Sequence, residues 1–334
     1  MSIYLDSGYA NMHDIMTRDD TFIFVIGPRG TGKTYGALLE ILESGKKFIY
    51  LRRTQTEADL VSSEVVNPFK KVIEDHPHYE IRTDSVNRNM GAFVSDDKEI
   101  GYSAALSTFA SIRGMDFSDI DIIFFDEFIP EKRARPIKEE FQALMNMYET
   151  VNRNRELQGK QPVKLVCCAN SNDIANPIFI GLEIVNRIAR MMDKGTEVYR
   201  DPSRALAVYM LMHSPISEKK AQTALYRLTK NNDFSQMALE NIFQVDTSSV
   251  SSRRLTEYRP IARIGEMVVY KHKSRAEFYV NCSRSGSVRD VFTTSDVDRK
   301  RFVSKYSYLY FRYLADDIIF EDVSSLVLFE KYFL

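Results

Sequence analysis

The chain has 334 residues and a mass of 38.6 kDa, with 44% hydrophobic and 27% charged residues. This length and composition are typical of a soluble protein of about two domains. No apolar run approaches the roughly 18 residues of a membrane-spanning helix, and the first residues predict no secretory signal. Three cysteines, two of them adjacent at Cys167 and Cys168, exclude a disulfide framework or a zinc site by spacing. We therefore expect a protein of a reducing cytosol.

Short apolar runs alternate with helix-like segments over residues 1–212, which predicts a domain with a mainly parallel α/β sheet. One helix is predicted at 35–42, and an antiparallel hairpin insert within 79–106. The predicted strands of this domain are 22–26, 48–51, 122–125, 163–168 and 205–211.

The pattern changes after residue 212. Residues 217–240 are polar and helix-like, which predicts a helical linker over 213–248. Alternating apolar runs return near Arg259, so residues 249–334 are predicted to form a smaller α+β domain. Residues 253–312 hold 14 Lys and Arg against 6 Asp and Glu, a net charge of +8. Such a segment can follow a nucleic-acid backbone or can be an ordinary solvated surface, and both interpretations stay open.

The strongest motif lies between the first predicted strand and the first predicted helix. Residues 27–34 (GPRGTGKT) fit G-x-x-x-x-G-K-[ST] at every fixed position. In this motif backbone N–H groups surround phosphates, the lysine reaches the β- and γ-phosphates, and the last hydroxyl binds Mg²⁺. We therefore predict an ATP and Mg²⁺ site in a P-loop ATPase domain over 1–212. Its predicted nucleotide-binding residues are Gly27, Pro28, Arg29, Gly30, Thr31, Gly32, Lys33 and Thr34.

A second motif follows the apolar strand IIFF. Asp126 comes directly after this strand, where an aspartate can hold the metal ion through water. The adjacent Glu127 can then orient the attacking water or accept its proton. This pair favours the P-loop ATPases that carry a catalytic glutamate, although a strand that ends in solvent would give the same letters.

Polar residues near the other strand ends are further candidates. Asn170, with Ser171 as second choice, follows a predicted strand and would lie beside the γ-phosphate to sense its hydrolysis, unless it is only a turn residue. Arg153 and Arg155 precede that strand. In a ring of subunits, an arginine there can reach a neighbour's nucleotide, and a solvated helix face is the alternative.

Arg52 and Arg53 come directly after the second predicted strand. They are candidates for contacts with phosphates of ATP or of DNA. The 84–98 hairpin is a further candidate for a sequence-independent grip on DNA.

The segments GPRGTGKT, IYLRR, ASIRGMDFSDIDIIFFDEF, VNRNREL and CCANSNDIANPIF, within residues 21–180, resemble the DNA packaging ATPases of tailed bacteriophages. The SIRG segment is similar to one in large terminase subunits. The combination of motifs resembles in particular the short packaging ATPases of Picovirinae-type, phi29-like phages.

The resemblance implies a fold, a function and partners. The fold is a P-loop NTPase of the catalytic-glutamate (ASCE) type with a carboxyl-terminal domain similar to an RNase H-like nuclease. The function is ATP-driven translocation of double-stranded DNA by a homo-oligomeric ring, a pentamer, on the portal of a procapsid that carries a structural RNA. The protein would act in the host cell cytoplasm, bind the procapsid transiently and be absent from the mature virion.

The resemblance also implies roles for single residues. Lys33 and Thr34 bind phosphate and Mg²⁺, Asp126 is the metal aspartate and Glu127 the catalytic glutamate. Arg153 matches the family's trans-acting arginine, and Asn170 lies in its sensor segment.

Nuclease activity is not expected. Full terminases cut DNA with clustered acidic residues and two metal ions, whereas Asn281 stands here where an acidic ligand is expected. A site formed from distant residues such as Asp246 and Asp290 stays open.

Two other functions are compatible with a phosphate loop of this kind. A single-stranded DNA helicase or recombinase-like ATPase would show aromatic stacking positions in its core. A non-catalytic, nucleotide-dependent assembly protein would not require the carboxylate of Glu127.

Overall fold

The computed structural model describes residues 2–63, 66–130, 134–170, 174–212, 214–228, 249–282 and 287–334. The chain divides into two compact units. The first consists of Met1–Asn172 and Thr196–Ile242, and the second of Asp173–Gly195 and Phe243–Leu334.

The strands of the described residues, in chain order, are β1 (Phe22–Ile26), β2 (Phe48–Arg52), β3 (Arg82–Asn87), β4 (Met90–Ser95), β5 (Lys98–Ala105), β6 (Ile122–Asp126), β7 (Lys164–Ala169), β8 (Val198–Asp201), β9 (Leu206–Met210), β10 (Tyr258–Ile264), β11 (Met267–His272), β12 (Phe278–Asn281), β13 (Asp290–Phe292) and β14 (Ile318–Phe320).

The α-helices of the same residues are α1 (Met12–Met16), α2 (Lys33–Ser44), α3 (Gln55–Val61), α4 (Lys70–Asp75), α5 (Glu140–Asn152), α6 (Pro177–Leu182), α7 (Val185–Asp193), α8 (Pro215–Ala221), α9 (Ala224–Leu228), α10 (Asp296–Lys305), α11 (Tyr308–Leu314) and α12 (Val323–Phe333). A 3-10 helix (Leu106–Ile112) follows β5. Among the described helices none has the length and apolar character needed to cross a bilayer.

The first unit is built on a nine-stranded sheet in the order β3-β4-β5-β2-β6-β7-β1-β9-β8. The six strands from β5 to β9 in this order are parallel, and β3, β4 and β8 are antiparallel additions at the two ends. The apolar runs of β1, β2, β6 and β7 are buried because both faces of a parallel sheet are covered. This arrangement confirms the predicted mainly parallel α/β sheet.

The second unit contains a five-stranded sheet in the order β13-β10-β11-β12-β14. Strands β10, β11 and β12 form an antiparallel meander, and β13 and β14 add parallel strands at its two edges. A cluster of Tyr258, Val268, Tyr270 and Tyr279 is buried on this sheet. The smaller α+β character is as predicted, and its likeness to an RNase H-like nuclease stays a prediction.

The boundaries of the two units differ from the predicted boundaries in two places. The first is Asp173–Gly195, which the sequence predicts within the first domain and whose contacts place it in the second unit. Helix α7 packs on α12, and the backbone N–H of Val185 donates to the Glu266 carboxylate at 2.9 Å. Of the predicted linker 213–248, α8 and α9 belong to the first unit, and residues 229–248, with Asp246, lie outside the described residues.

Candidate nucleotide-binding site

Three neighbouring parallel strands bring the predicted site residues to one edge of the first sheet. Strand β7 lies between β1 and β6, with Ile26 opposite Ala169 and Asp126 opposite Cys168. The loops that follow these strands therefore begin side by side, at the carboxyl edge where α/β proteins bind ligands. They line a cleft of about 440 Å³ whose walls include Lys33, Thr34, Asp126, Glu127 and Asn170.

The phosphate loop leaves β1 and enters α2 at Lys33. Gly30 and Gly32 have φ angles of +72° and +81°, a left-handed conformation that glycine adopts without a steric penalty. The N–H of Gly27 donates to the Ala169 carbonyl at 3.2 Å, and the Thr31 hydroxyl donates to the Pro28 carbonyl at 3.0 Å. The loop is thus fixed at the amino terminus of α2, where backbone N–H groups attract anions.

Lys33 is buried in this loop with 7% of its surface exposed. Its Nζ donates to the carbonyls of Gly27 at 2.9 Å and Pro28 at 2.8 Å, and Asn170 Oδ1 lies 3.5 Å away. Burial lowers the pKa of Lys33 to about 8. The ammonium group therefore has neutral hydrogen-bond acceptors, and a phosphate is a stronger acceptor than a carbonyl.

Asp126 lies at the end of β6 and accepts hydrogen bonds from three side chains, one of α2 and two of β2. The hydroxyl of Thr34 donates at 3.0 Å, that of Tyr50 at 2.7 Å and the Arg52 guanidinium at 3.4 Å. Burial raises the pKa of Asp126 above its usual range, against the effect of the nearby Arg52 charge. The Thr34 hydroxyl and the Asp126 carboxylate are hard oxygen donors next to each other, so the residues present fit Mg²⁺.

Glu127 has a φ of +55°, a left-handed conformation that is uncommon outside glycine. This backbone costs about 1 to 2 kcal/mol and persists where neighbouring structure enforces it. The next residue, Phe128, is fixed on both counts. Its backbone N–H donates to the Cys168 carbonyl at 3.2 Å, and its ring is fully buried. The Glu127 carboxylate is half exposed and pairs with the Arg52 guanidinium at 3.1 Å.

Three residues at the site escaped sequence reasoning. Tyr50 lies in β2, and its hydroxyl donates to Asp126. The sequence could have indicated it only through the general rule that a buried tyrosine hydroxyl needs a hydrogen-bond partner. Lys220 of α8 donates to the Arg29 carbonyl. Tyr9 packs beside Gly32, because a Cβ at Gly32 would lie 3.1 Å from its ring. No local pattern relates Tyr9 or Lys220 to the motif.

The prediction that Arg53 contacts DNA phosphates is corrected by the structure. Its guanidinium is buried and makes two hydrogen bonds, of 2.6 and 2.9 Å, to the Glu140 carboxylate of α5. Arg53 therefore joins β2 to α5 and presents no exposed charge. Arg52 is 13% exposed and pairs with Asp126 and Glu127, so its contacts lie within the nucleotide site.

Arg153 and Arg155 lie near the amino ends of β6 and β7. The Arg155 guanidinium is 15% exposed and pairs with Asp121 at 2.7 Å. Arg153 is half exposed, and its closest contact is the Met115 carbonyl at 3.3 Å. Since a strand rises about 3.3 Å per residue, roughly 16 Å separates Asp121 from Asp126 at the opposite edge.

Ser171, the second choice after Asn170, lies outside the described residues.

This parallel sheet, with a glycine-rich loop entering a helix and an Asp-Glu pair two strands away, defines a P-loop nucleotide-binding protein. The family model of the podovirus DNA encapsidation protein (Gp16) matches residues 5–312. The chain therefore belongs to this family, and its function is the packaging of viral DNA. The resemblance to phage packaging ATPases is confirmed.

Relatives and solved structures agree with this family. The DNA packaging proteins of Bacillus phages PZA and phi29 are each 27% identical over 300 residues, which covers 87% of this chain and 83% of theirs. The crystal structure of the N-terminal domain of the phi29 DNA packaging ATPase is 28% identical, with a TM-score of 0.51 over 62% of this chain and 97% of that chain. The Phi-28 gp11 DNA packaging motor shares the fold, at 20% identity and a TM-score of 0.65 over 97% of each chain.

Proposed function

We propose that the chain is the ATP-hydrolysing subunit of a ring-shaped motor that drives double-stranded DNA into a viral procapsid. The observation that carries the proposal is the convergence of Lys33, Thr34, Asp126 and Glu127 on one cleft of the first unit. Two of these residues belong to the phosphate loop and two to the end of β6. The fold therefore brings the residues for phosphate and those for the metal ion together from distant parts of the sequence.

Each side chain then has one role. The Lys33 ammonium exchanges the Gly27 and Pro28 carbonyls for phosphate oxygens. Thr34 and Asp126 would hold Mg²⁺, which when bound would neutralise charge on the phosphates. Asn170, within 3.5 Å of Lys33 Nζ, is placed to sense the terminal phosphate.

Glu127 is the group that orients the attacking water and accepts its proton. Its carboxylate is paired with Arg52 at 3.1 Å, so the guanidinium holds the oxygen that would otherwise contact the attacking water. Opening of the Arg52–Glu127 pair is therefore part of the active state. In that state Arg52 is free to turn toward the phosphates.

A ring is supported by the position of Arg153. The side chain is half exposed and too far from its own nucleotide cleft to act there, whereas a neighbouring subunit can bring it to the next cleft. A homo-oligomeric ring, a pentamer in the resemblance, would dock on the portal of the procapsid and its structural RNA. We place the active protein in the host cell cytoplasm and not in the mature virion.

The second unit is proposed to bind nucleic acid or portal protein without cutting DNA. Arg299, Lys300 and Arg301 are exposed on α10. Asp290 is paired with Lys305 at 2.6 Å and with the Tyr306 hydroxyl, so an ion pair already uses its carboxylate. Asn281, which is buried in β12, supplies no carboxylate to a metal pair.

The test is steady-state ATP hydrolysis by wild type and Glu127→Gln, alone and with duplex or single-stranded DNA. We expect stimulation by duplexes of unrelated sequence, and a loss of about 100-fold or more in Glu127→Gln with ATP binding retained. Glu80→Gln, which changes an exposed carboxylate elsewhere in the first unit, is the matched control and should keep wild-type turnover.

Three results would contradict the proposal. Stimulation by single strands alone would favour a helicase. Normal turnover of Glu127→Gln would remove its catalytic role. No hydrolysis, even with procapsids present, would favour a nucleotide-dependent assembly protein.

A further inference from the structure

A second lysine approaches the phosphate loop from outside both sequence motifs. Lys220 lies in the last turn of α8, and its Nζ donates a hydrogen bond to the Arg29 carbonyl. Its side chain fills the space beside Gly30, because a Cβ built there would lie 2.8 Å from Lys220 Cε. The amine is therefore packed against the part of the loop that surrounds phosphates.

The ammonium of Lys220 has a neutral acceptor where an anion would bind more strongly. Within the described part of the chain, no carboxylate forms an ion pair with it. Burial lowers the pKa of Lys220. The Lys33 ammonium likewise donates to neutral carbonyls of the same loop, those of Gly27 and Pro28. An anion bound at the loop would give both ammonium groups a charged acceptor.

Helix α8 is held in place by contacts that do not involve Lys220. The Leu211 N–H donates to the Ile26 carbonyl at 2.7 Å, and the Ser214 hydroxyl donates to the Gly8 carbonyl at 2.8 Å. A Cβ at Gly8 would lie 3.0 Å from both Pro215 and Ile216. The helix is thus fastened to β1 and to the amino-terminal segment, which directs Lys220 toward the loop.

We propose that Lys220 is a phosphate-binding residue of the nucleotide site, which exchanges the Arg29 carbonyl for a phosphate oxygen when ATP binds. This inference rests on the proposed function. A charge-assisted hydrogen bond to phosphate is stronger than one to a neutral carbonyl.

The test compares the binding of fluorescent ATP and ADP analogues to the full chain in Mg²⁺. Lys220→Ala should weaken ATP binding by about 10- to 100-fold, the value of one hydrogen bond to a charged group. Lys219→Ala removes the same charge from the adjacent exposed position and should stay within about twofold, because exposed charges contribute little. Lys220→Arg should recover most of the affinity.

Each outcome decides between roles. Equal ATP affinity of Lys220→Ala and Lys219→Ala would overturn the inference. It would also be overturned if nucleotide-free Lys220→Ala had a lower Tm and Lys220→Arg did not recover the ATP affinity, because the lysine would then have a structural role. Lys33→Ala, measured beside them, separates the two proposals. If it loses ATP while Lys220→Ala does not, the inference fails and the proposed function stands. If wild type binds no ATP, both fail.

Discussion

Lys33 carries the charge on which phosphate binding depends, and its burial makes that charge sensitive to pH. The pKa is lowered to about 8 without nucleotide, so the amine loses its proton as the pH rises through that value. Bound phosphate stabilises the ammonium form and raises the pKa. Between the two pKa values, ATP binding takes up a proton, and affinity is therefore expected to fall as the pH rises above about 8.

Calorimetry in two buffers of different ionisation enthalpy measures this proton uptake. We expect uptake to rise toward one proton and affinity to fall by up to about tenfold per pH unit above the pKa of the free form. Because the pKa of Lys220 is also lowered, the measurement is repeated with Lys220→Ala, and the uptake that remains belongs to Lys33. An affinity independent of pH over this range would contradict the prediction.

Arg53 and Glu140 form a buried pair whose loss is expected to destabilise the first unit. Breaking a buried ion pair leaves one charge without compensation, which costs about 3 to 5 kcal/mol. Arg53→Ala should therefore lower the unfolding temperature clearly, and Arg53→Met with Glu140→Leu should lower it much less. Arg82→Ala, which breaks the exposed contact with Asp97, is the control, at about 1 kcal/mol or less. Equal effects in Arg53→Ala and Arg82→Ala would contradict the prediction.

The contrast between Arg52 and Arg53 shows what the sequence can predict for single residues. Successive side chains of a strand point to opposite faces. The sequence therefore predicts different surroundings for the two adjacent arginines at the end of β2. Their partners could not be predicted, because Glu140 is 87 positions away from Arg53. The phosphate loop was predictable since its eight residues form the site from one continuous segment.

For the elements, local patterns predicted the strands but not their order. The apolar runs of β1, β6 and β7 are close to their observed bounds. The position of β7 between the other two depends on hydrogen bonds between distant segments, which no window of sequence contains. The same applies to α7, because its contact with Glu266 joins residues 81 positions apart.

Strand β5 offers a test of how closely the elements pack. Gly101 lies opposite Phe48 of β2, and a Cβ at Gly101 would lie 2.5 Å from the Phe48 ring. That ring also packs on Phe69 and Phe93, with centroids 5.7 Å away in both cases. Gly101→Ala should therefore cost about 1 to 3 kcal/mol through overpacking.

Thermal unfolding of Gly101→Ala measures this cost. Gly114→Ala is the matched control, since a Cβ there meets no atom within 4 Å and should leave the Tm unchanged. A Tm of Gly101→Ala equal to that of Gly114→Ala would show that the Phe48 ring moves without cost.

At the scale of the assembly, the position of Arg153 predicts complementation between subunits. Glu127→Gln subunits supply an intact Arg153, and Arg153→Ala subunits supply an intact Glu127. If the arginine acts on a neighbour, mixed rings contain complete sites, and their ATPase rate should exceed the weighted mean of the two variants.

The control mixes Glu127→Gln subunits with the double variant Glu127→Gln/Arg153→Ala, which cannot form a complete site. Folding and assembly of each variant are checked by size before mixing. A rate at the weighted mean in the first mixture would leave Arg153 without a trans role.

The division of the chain has a consequence for its synthesis on the ribosome. Strand β9, which pairs with β1, follows the segment Asp173–Gly195 that belongs to the second unit. A nascent chain that ends at residue 172 therefore has β1 as an unpaired edge strand, and exposed edges of this kind promote aggregation. Strand β9 can cover this edge only after residue 210 has left the exit tunnel, so the parallel sheet of the first unit is completed late in synthesis.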